Sequence, residues 1–130
     1  MSTASAISRR SYDPRFQVGA IVVSEDNTQV LAVGYNGNYA GGPNTPESTE
    51  PGKSGFIHSE INALLKLDYN NPKNKVMYVT LSPCRACSKA MVNAGINEVV
   101  YSEEYRDTSG LDILRSAGVK VRELSADVAP

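Results

Sequence analysis

Residues 75–95 read KVMYVTLSPCRACSKAMVNAG, and this stretch predicts the strand-to-helix unit around which the chain folds. The run 75–81 is apolar and rich in β-branched residues, which is typical of a buried strand. Pro83 suits the first turn of a helix, where its missing N–H removes no intrahelical hydrogen bond, and Gly95 supplies a stop. We therefore predict a strand over 75–81 followed by a helix that begins near Pro83.

Two further strands precede this unit. Residues 16–24 and 28–36 are mainly apolar and are separated by Asp26 and Asn27, a turn signal, so they predict a β-hairpin. From Ile57 onward, apolar residues at spacings of three and four predict a helix that ends at Asn70-Asn71-Pro72.

Strand and helix patterns alternate after the central unit. Residues 97–102 and 119–124 predict strands, and residues 108–118 between them predict a helix. Such alternation favours parallel pairing with right-handed crossovers. We therefore expect an α/β protein with one mixed sheet of about five strands and helices on both faces, forming a single domain over residues 1–130.

Composition excludes several functional classes. The 130 residues include 13 basic and 14 acidic ones, a formal charge of −1, whereas a protein that contacts long nucleic acid normally has a basic surplus. No apolar run is long enough to cross a membrane, and no signal-peptide pattern opens the chain. We therefore expect a cytoplasmic protein with reduced thiols and a small-molecule ligand.

A loop rich in Gly, Pro, Asn, Ser and Thr occupies residues 37–55. Compact domains seldom carry a loop of this length unless it binds something or is disordered. Both interpretations stay open.

The chain has two cysteines, Cys84 and Cys87, spaced as Cys-x-x-Cys at the start of the predicted helix. Both thiols would meet the positive end of the helix, which lowers thiol pKa values and favours a redox pair or thiolate ligands of a metal. Two inert, buried side chains are the third possibility. A redox pair usually follows the first strand of a thioredoxin-like unit, whereas this pair follows the third.

The single histidine of the chain, His58, begins the earlier helix, and Glu60 follows two residues later. Alone, each would be an ordinary residue of a helix start. With Cys84 and Cys87, however, His58 completes a set of one nitrogen and two sulfur ligands, which suits Zn²⁺ in a catalytic site whose fourth position is open.

A family resemblance supports the zinc interpretation. HSE (58–60) and PCRAC (83–87) match the H-x-E…P-C-x-x-C signature of zinc-dependent nucleobase deaminases at every fixed position. The stretches RSYDPRFQVGAIVV, GYNG, HSEINALL, PCRACSKAMVNAGINEVVY and YRDTSGLDILRSAGVKV resemble the cytidine and deoxycytidylate deaminases, and among them the dCMP deaminases most. This resemblance implies the three-layer α/β/α cytidine-deaminase-like fold and nearly spans the chain.

The resemblance also implies a mechanism. His58, Cys84 and Cys87 would bind the zinc ion, which lowers the pKa of a water to about 7 so that it can attack C4 of a cytosine ring. Glu60 would carry protons from that water to ring N3 and to the leaving amine. The implied product is a uracil nucleotide plus ammonia, with dCMP as the expected substrate.

Substrate contacts are expected from positions that match or neighbour family positions: Asn36, Ser59, Asn62, Ser82, Pro83, Tyr105 and Arg106. Asn36 would touch the sugar, or its Asn-Gly pair would only form a turn. The Ser82 carbonyl would face the base, and Asn62 would brace the pocket or cap a polar network. Tyr105 and Arg106 lie near where relatives bind a phosphate, or they belong to an ordinary exposed loop. Ser59 departs from the usual alanine of H-A-E-x-N-A, and tRNA adenosine deaminases generally lack the asparagine that stands here at 62.

Other interpretations stay open. The same chemistry could act on free cytosine, cytidine, guanine or adenosine in tRNA. A non-catalytic, zinc-stabilised interaction module is less favoured, because such a module has no use for a carboxylate at position 60. Apolar residues of the later helix, Leu111, Ile113 and Leu114, predict a face larger than one small sheet can cover, and relatives self-associate, so we expect a homo-oligomer.

Overall fold

The computed structural model describes residues 1–11, 17–47 and 55–124. Four helices and five strands alternate within these residues: α1 (Ser2–Ser8), β1 (Gly19–Ser24), β2 (Val30–Tyr35), α2 (Ser59–Leu64), β3 (Lys75–Leu81), α3 (Arg85–Asn93), β4 (Ile96–Glu103), α4 (Ser109–Ser116) and β5 (Lys120–Glu123). Among the described residues, each helix is too short or too polar to cross a bilayer.

The strands form one mixed sheet in the order β2-β1-β3-β4-β5. Strand β1 pairs antiparallel with both β2 and β3, and β4 pairs parallel with both β3 and β5. All six residues of β1 are buried, as expected for a strand inside the sheet. The predicted mixed sheet of about five strands is confirmed.

Alternate residues of the central strands point to opposite faces of the sheet. Ala20 and Val22 of β1 join a large core with side chains of α2, α3 and α4, whereas Ile21 and Val23 join a smaller core with Ala4 of α1. Three helices therefore cover one face and one short helix covers the other. This arrangement confirms the α/β/α layers.

Helix α1 was not predicted, because STASAIS has small, polar residues and little apolar periodicity. Its position depends on close packing against β1. A Cβ atom added to Gly19 would overlap the carbonyl oxygen of Ala4 and would lie 2.5 Å from the amide nitrogen of Ser8. Glycine at this position therefore lets the helix backbone touch the strand.

Two predicted helix boundaries were wrong. Helix α3 begins at Arg85, because Cys84 is its N-cap and Pro83 lies before the cap. Helix α2 ends at Leu64, well before Asn70. The Leu64 carbonyl accepts hydrogen bonds from the main-chain N–H of Leu67 at 3.2 Å and from the Tyr69 hydroxyl at 2.6 Å, and both contacts satisfy an acceptor that a longer helix would have used.

Helix α2 lies directly against β2 because residue 34 has no side chain. A Cβ atom at Gly34 would overlap the carbonyl oxygen of Ser59 and would lie 2.6 Å from the amide nitrogen of Ala63. Both neighbours are backbone atoms of α2, so they cannot rotate away. Gly34 therefore fixes how closely the first turn of α2 approaches the sheet.

We expect Gly34→Ala to lower the free energy of unfolding by about 3 kcal/mol, because overpacking against backbone forces the whole helix to move. Thermal denaturation should show a fall in Tm of roughly 10 °C. Val30→Ala is the matched control in the same strand: Val30 is 62% exposed, and its truncation should cost less than about 1 kcal/mol. Equal melting temperatures for Gly34→Ala and the wild type would contradict the close-packing argument.

Candidate active site

Polar residues follow three strands that end at one edge of the sheet. Strands β2, β3 and β4 all run in the same direction, since β1 is antiparallel to both β2 and β3. Asn36 follows β2, Ser82 and Cys84 follow β3, and Tyr105 follows β4. Ligands of open α/β sheets bind beyond the carboxyl ends of the strands, so this edge is the expected place for a site.

His58 reaches the same edge through the short pairing that closes the long loop. Gly37 and Ile57 exchange two backbone hydrogen bonds, of 3.1 and 2.8 Å, and the next residue, His58, caps helix α2. The described part of the loop therefore begins and ends beside the carboxyl end of β2. Residues 48–54 of that predicted loop lie outside the described residues.

The structure brings His58, Cys84 and Cys87 together, as the sequence predicts. His58 Nδ1 lies 3.3 Å from Cys87 Sγ and 3.6 Å from Cys84 Sγ, and the three donor atoms all lie within 4.8 Å of one another. Zinc–nitrogen bonds of about 2.0–2.1 Å and zinc–sulfur bonds of about 2.3 Å, at tetrahedral angles, place nitrogen and sulfur about 3.5 Å apart. The donor set and its spacing therefore fit a zinc ion.

The sulfur of Cys84 accepts hydrogen bonds at the start of α3. Its Sγ accepts the main-chain N–H of Cys87 at 3.5 Å. A hydrogen bond from the Cys87 thiol, followed by one from the His58 side chain, lowers the pKa of the Cys84 thiol to about 4. A helix N-terminus with such donors favours negative charge on sulfur, the form that binds metals.

Cys87 behaves in the opposite way. Its hydrogen bond to Cys84, and then its burial, raise the pKa of the Cys87 thiol. Negative charge is therefore favoured on the sulfur of Cys84 and disfavoured on that of the buried Cys87, because two adjacent thiolates would repel each other. Binding of a divalent cation removes this repulsion and releases the second proton.

Glu60 is buried beside the three donors. Its side chain is only 4% exposed, its carboxyl group hydrogen-bonds the Cys87 thiol, and the hydroxyl of Ser59 donates to Glu60 Oε1 at 2.5 Å. Burial raises the pKa of the Glu60 carboxyl group, and the Ser59 hydrogen bond opposes that rise. A buried acid with a raised pKa beside an open metal position has the character of a proton shuttle.

Comparison with known proteins places this geometry in a family. A family model for the cytidine and deoxycytidylate deaminase zinc-binding region matches residues 1–103. The chain belongs to that family. It is therefore a zinc-dependent deaminase, and the prediction of a zinc cofactor is confirmed by the family model and the donor geometry together.

Individual deaminases of known function are similar to this chain over most of its length. The deoxycytidylate deaminase of Homo sapiens is 34% identical over 95% of this chain and 76% of the relative, and that of Enterobacteria phage T4 is 30% identical over 93% and 86%. The dCMP deaminase from cyanophage S-TIM5, solved in complex with dCMP and dUMP, is 37% identical over 95% of this chain and 92% of that one, with a TM-score of 0.82.

Two predicted substrate contacts, Asn36 and Ser59, form a buried pair in the deaminase. Asn36 Oδ1 accepts the main-chain N–H of Ser59 at 2.9 Å, and the exposed fractions of the two side chains are 5% and 0%. The hydroxyl of Ser59 is fully buried and directed to Glu60, which favours a supporting role, and the substrate contact stays a prediction. Asn36 lies at the end of β2 and connects that strand to α2.

Asn62 has a bracing role in this structure. Its Nδ2 donates to the carbonyl oxygens of Tyr35 at 2.9 Å and Ile57 at 3.3 Å. These contacts connect α2 to the end of β2 and to the residue before His58. Of the two roles the sequence leaves open for Asn62, bracing the pocket and capping a polar network, the observed hydrogen bonds support the first, and a contact with substrate stays a prediction.

Ser82, Pro83 and Tyr105 form the wall between β3 and β4. Ser82 and Pro83 are buried, and the Ser82 Oγ accepts the main-chain N–H of Tyr105 at 2.7 Å. Arg106 is exposed, and its guanidinium carbon lies 5.8 Å from the centroid of the Tyr105 ring. The structure thus brings these predicted residues to the same edge as the donor set.

Two features of this wall were missed in the sequence. Asp107 has a lowered pKa, mainly because Ser109 donates hydrogen bonds to it and to a smaller extent because Arg85 and Arg106 are near. Arg85, adjacent to Cys84, therefore adds a second exposed cation close to Arg106. The basic residue inside Pro-Cys-Arg-Ala-Cys was the signal that could have identified it.

Gly110 is the second missed feature. A Cβ atom there would overlap the carbonyl oxygen of Pro83 and would lie 2.8 Å from that of Cys84. Helix α4 therefore packs its first turn against the backbone that presents Cys84. Nothing in the spacing of a lone glycine after a strand indicates such an approach.

We expect Cys84→Ser to lower zinc affinity by more than about 100-fold, since loss of a direct ligand exceeds the cost of changing a residue that merely supports one. Elemental analysis of the dialysed protein would measure zinc per chain. Ser88→Ala is the control, because Ser88 is fully buried beside the site and its hydroxyl has no hydrogen-bond partner among the described residues. Wild-type zinc content in Cys84→Ser would contradict the ligand assignment.

Proposed function

We propose that the chain converts dCMP to dUMP and ammonia by hydrolytic deamination. The observation that carries this proposal is the likeness, over nearly the whole chain, to a dCMP deaminase solved with dCMP and dUMP. Curated deoxycytidylate deaminases at similar identity support the same substrate. Free cytosine, cytidine, guanine and adenosine in tRNA are not favoured by these relatives.

His58, Cys84 and Cys87 are proposed to hold the zinc ion. When bound, zinc makes a water nucleophilic near neutral pH. The three residues differ in exposure: His58 is exposed, Cys84 is half-buried and Cys87 is buried. The substrate would therefore enter from the His58 side, since the Cys87 side is closed by the core.

Glu60 is proposed to move the protons of the reaction. Its carboxylate would accept a proton from the attacking water and deliver it to ring N3, and would then take the proton of the new C4 hydroxyl and pass it to the leaving amine, which departs as ammonia. Burial supports this role, because it raises the pKa of the Glu60 carboxyl group and so makes its carboxylate a better proton acceptor than that of an exposed acid. Such proton transfer contributes about 10²–10⁴ in rate.

The base and sugar are proposed to lie along the carboxyl edge of the sheet. The Ser82 carbonyl, followed by Pro83, would face the base, and Asn36 would contact the sugar while its Oδ1 accepts the Ser59 N–H. Ser59 and Asn62 then support this pocket from behind. Their hydrogen bonds to Glu60, Tyr35 and Ile57 are the observations that favour supporting roles.

The phosphate is proposed to bind between Arg85, Tyr105 and Arg106. Two exposed guanidinium groups beside the half-buried tyrosine provide charged donors in a protein whose net charge is only −1. Arginine donates two parallel hydrogen bonds to phosphate, and a hydrogen bond to a charged group contributes about 1.5–3 kcal/mol. A monophosphate would therefore bind better than the corresponding nucleoside.

We also propose that residues 1–130 form one deaminase domain that works in the cytoplasm as a homo-oligomer. One sheet shared by both cores supports the single domain, and two thiols kept for metal binding suit a reducing compartment. Leu111 and Leu114 of α4 lie in the core and therefore leave no apolar surface for association. Exposed Leu65 and Tyr69, 72% and 59% accessible, support association instead, and sedimentation velocity would measure it.

An ammonia-release assay tests the substrate. We expect kcat/KM for dCMP to exceed that for deoxycytidine by at least about tenfold, because only the monophosphate can use the two arginines. Arg106→Ala should narrow this ratio, whereas Lys89→Ala, which removes another exposed cation of the chain, should leave it unchanged. Absence of turnover for every cytosine compound would reject the proposed function.

Glu60→Gln tests the proton shuttle. We expect kcat to fall by about 10²–10⁴ because glutamine keeps the shape but cannot carry the proton. Zinc content should be unchanged, which separates this variant from Cys84→Ser. Glu104→Gln, at an exposed position, is the control and should retain wild-type kcat. Turnover in Glu60→Gln close to the wild-type rate would remove Glu60 from the mechanism.

A further inference from the structure

Ser59 is held in place by contacts at three separate groups. Its main-chain N–H donates to Asn36 Oδ1 at 2.9 Å, its hydroxyl donates to Glu60 Oε1 at 2.5 Å, and its carbonyl oxygen lies where Gly34 has no side chain. The side chain is fully buried. Two of the three contacts are to β2 or its end, so the residue is tied to the sheet as well as to its own helix.

The hydroxyl of Ser59 donates to a carboxylate that lies beside the proposed zinc ligands. Glu60 contacts the Cys87 thiol on one side and the Ser59 hydroxyl on the other. A glutamate side chain has three rotatable bonds, and the last of them, which turns the carboxylate plane, has only broad minima. Burial limits the first two rotations, but the last requires a directional partner.

We infer that Ser59 is a positioning residue for deamination, whose hydroxyl holds Oε1 of Glu60 so that the carboxylate keeps one orientation and presents Oε2 to the reacting groups. This inference rests on the proposed function, because it assigns Ser59 a part in the proton transfers of Glu60. Ser59 acts through Glu60 and is not itself expected to touch substrate.

Fixed orientation matters because one carboxylate must serve several atoms in turn. A shuttle that exchanges protons with a water, a ring nitrogen and an amine needs hydrogen-bond distances of about 2.6–3.2 Å to each. Displacement by about 1 Å at a reacting group can reduce rate by about 100-fold. When a buried donor fixes one carboxylate oxygen, the other oxygen stays within hydrogen-bond distance of the reacting atoms, and the carboxylate does not have to reorient at each step.

The anchoring on β2 explains how a residue outside the pocket can set this orientation. Ser59 cannot move away from Asn36 without breaking a buried hydrogen bond, and Gly34 leaves no space into which its backbone could shift. Ser59 therefore fixes the Glu60 carboxylate relative to the end of β2. A hydroxyl carried by a less constrained residue would not have this effect.

Steady-state kinetics of the zinc-loaded enzyme with dCMP test the inference, with Ser59→Ala compared to Ser88→Ala. Both substitutions remove one hydroxyl from a fully buried serine, but that of Ser88 has no hydrogen-bond partner among the described residues. We expect Ser59→Ala to lower kcat by about tenfold with KM changed less than about twofold, while zinc content stays the same. Ser88→Ala should keep wild-type kcat and KM.

Crystal structures of the zinc-loaded wild type and Ser59→Ala give a readout that does not depend on turnover. The Glu60 carboxylate should have one orientation in the wild type, in contact with Ser59, and should rotate or occupy more than one orientation in the variant. Equal kcat values for the two alanine variants, or one unchanged orientation in both structures, would overturn the inference. If the wild type deaminates no cytosine compound, the proposed function fails, and the crystal structures alone decide whether Ser59 orients Glu60.

Discussion

The site depends on bringing donor atoms from two distant segments to within bonding range of one ion. His58 and Cys84 are 26 residues apart in sequence, and their donor atoms lie 3.6 Å apart in space. Helix α2 supplies the imidazole from the end of β2, and the start of α3 supplies the sulfurs from the end of β3. Since β2 and β3 are separated by β1, the two helices must each pack closely enough to meet above it.

Small residues make this meeting possible. Gly34 lets α2 touch β2, and Gly110 lets α4 press against the backbone of Pro83 and Cys84. Both contacts are between backbone atoms, which cannot adapt as flexible side chains do. The separation of the donor atoms is consequently set by the sheet and by helix packing, and the ligand side chains need only small adjustments to bind the metal.

The ionisable groups of the site also favour binding of a divalent cation. Two sulfurs and the Glu60 carboxyl group lie close together. The hydrogen bond between the two thiols lowers the pKa of Cys84 and raises that of Cys87, and burial raises the pKa of Glu60. A divalent cation offsets this crowding of negative charge. Two thiolates and one neutral imidazole leave zinc with a net charge near zero, which allows a water to ionise beside a carboxylate that remains free to exchange protons.

Much of this could be read from the sequence because the deciding signals are local. The run 75–81 indicated a strand, and the spacing of Cys84 and Cys87 together with the single histidine of the chain indicated the ligand set. Helix α1 was missed because its seven residues depend on contact with β1, and the hydrogen bonds of Ser59 to Asn36 and Glu60 could not be predicted because they depend on how α2 packs against β2. Periodicity and spacing do not report contacts between distant backbone segments.

The exposure of the site residues suggests how the chain separates chemistry from recognition. Glu60 and Cys87 are buried against the core, whereas His58, Arg85 and Arg106 are exposed. Under the proposed mechanism, proton transfer would take place among buried side chains, and phosphate recognition would take place among exposed ones. The two regions are nevertheless connected, because the main-chain N–H of Tyr105 donates to Ser82 and Gly110 packs against the backbone of Cys84, so changes after β4 would also be felt at the metal ligands.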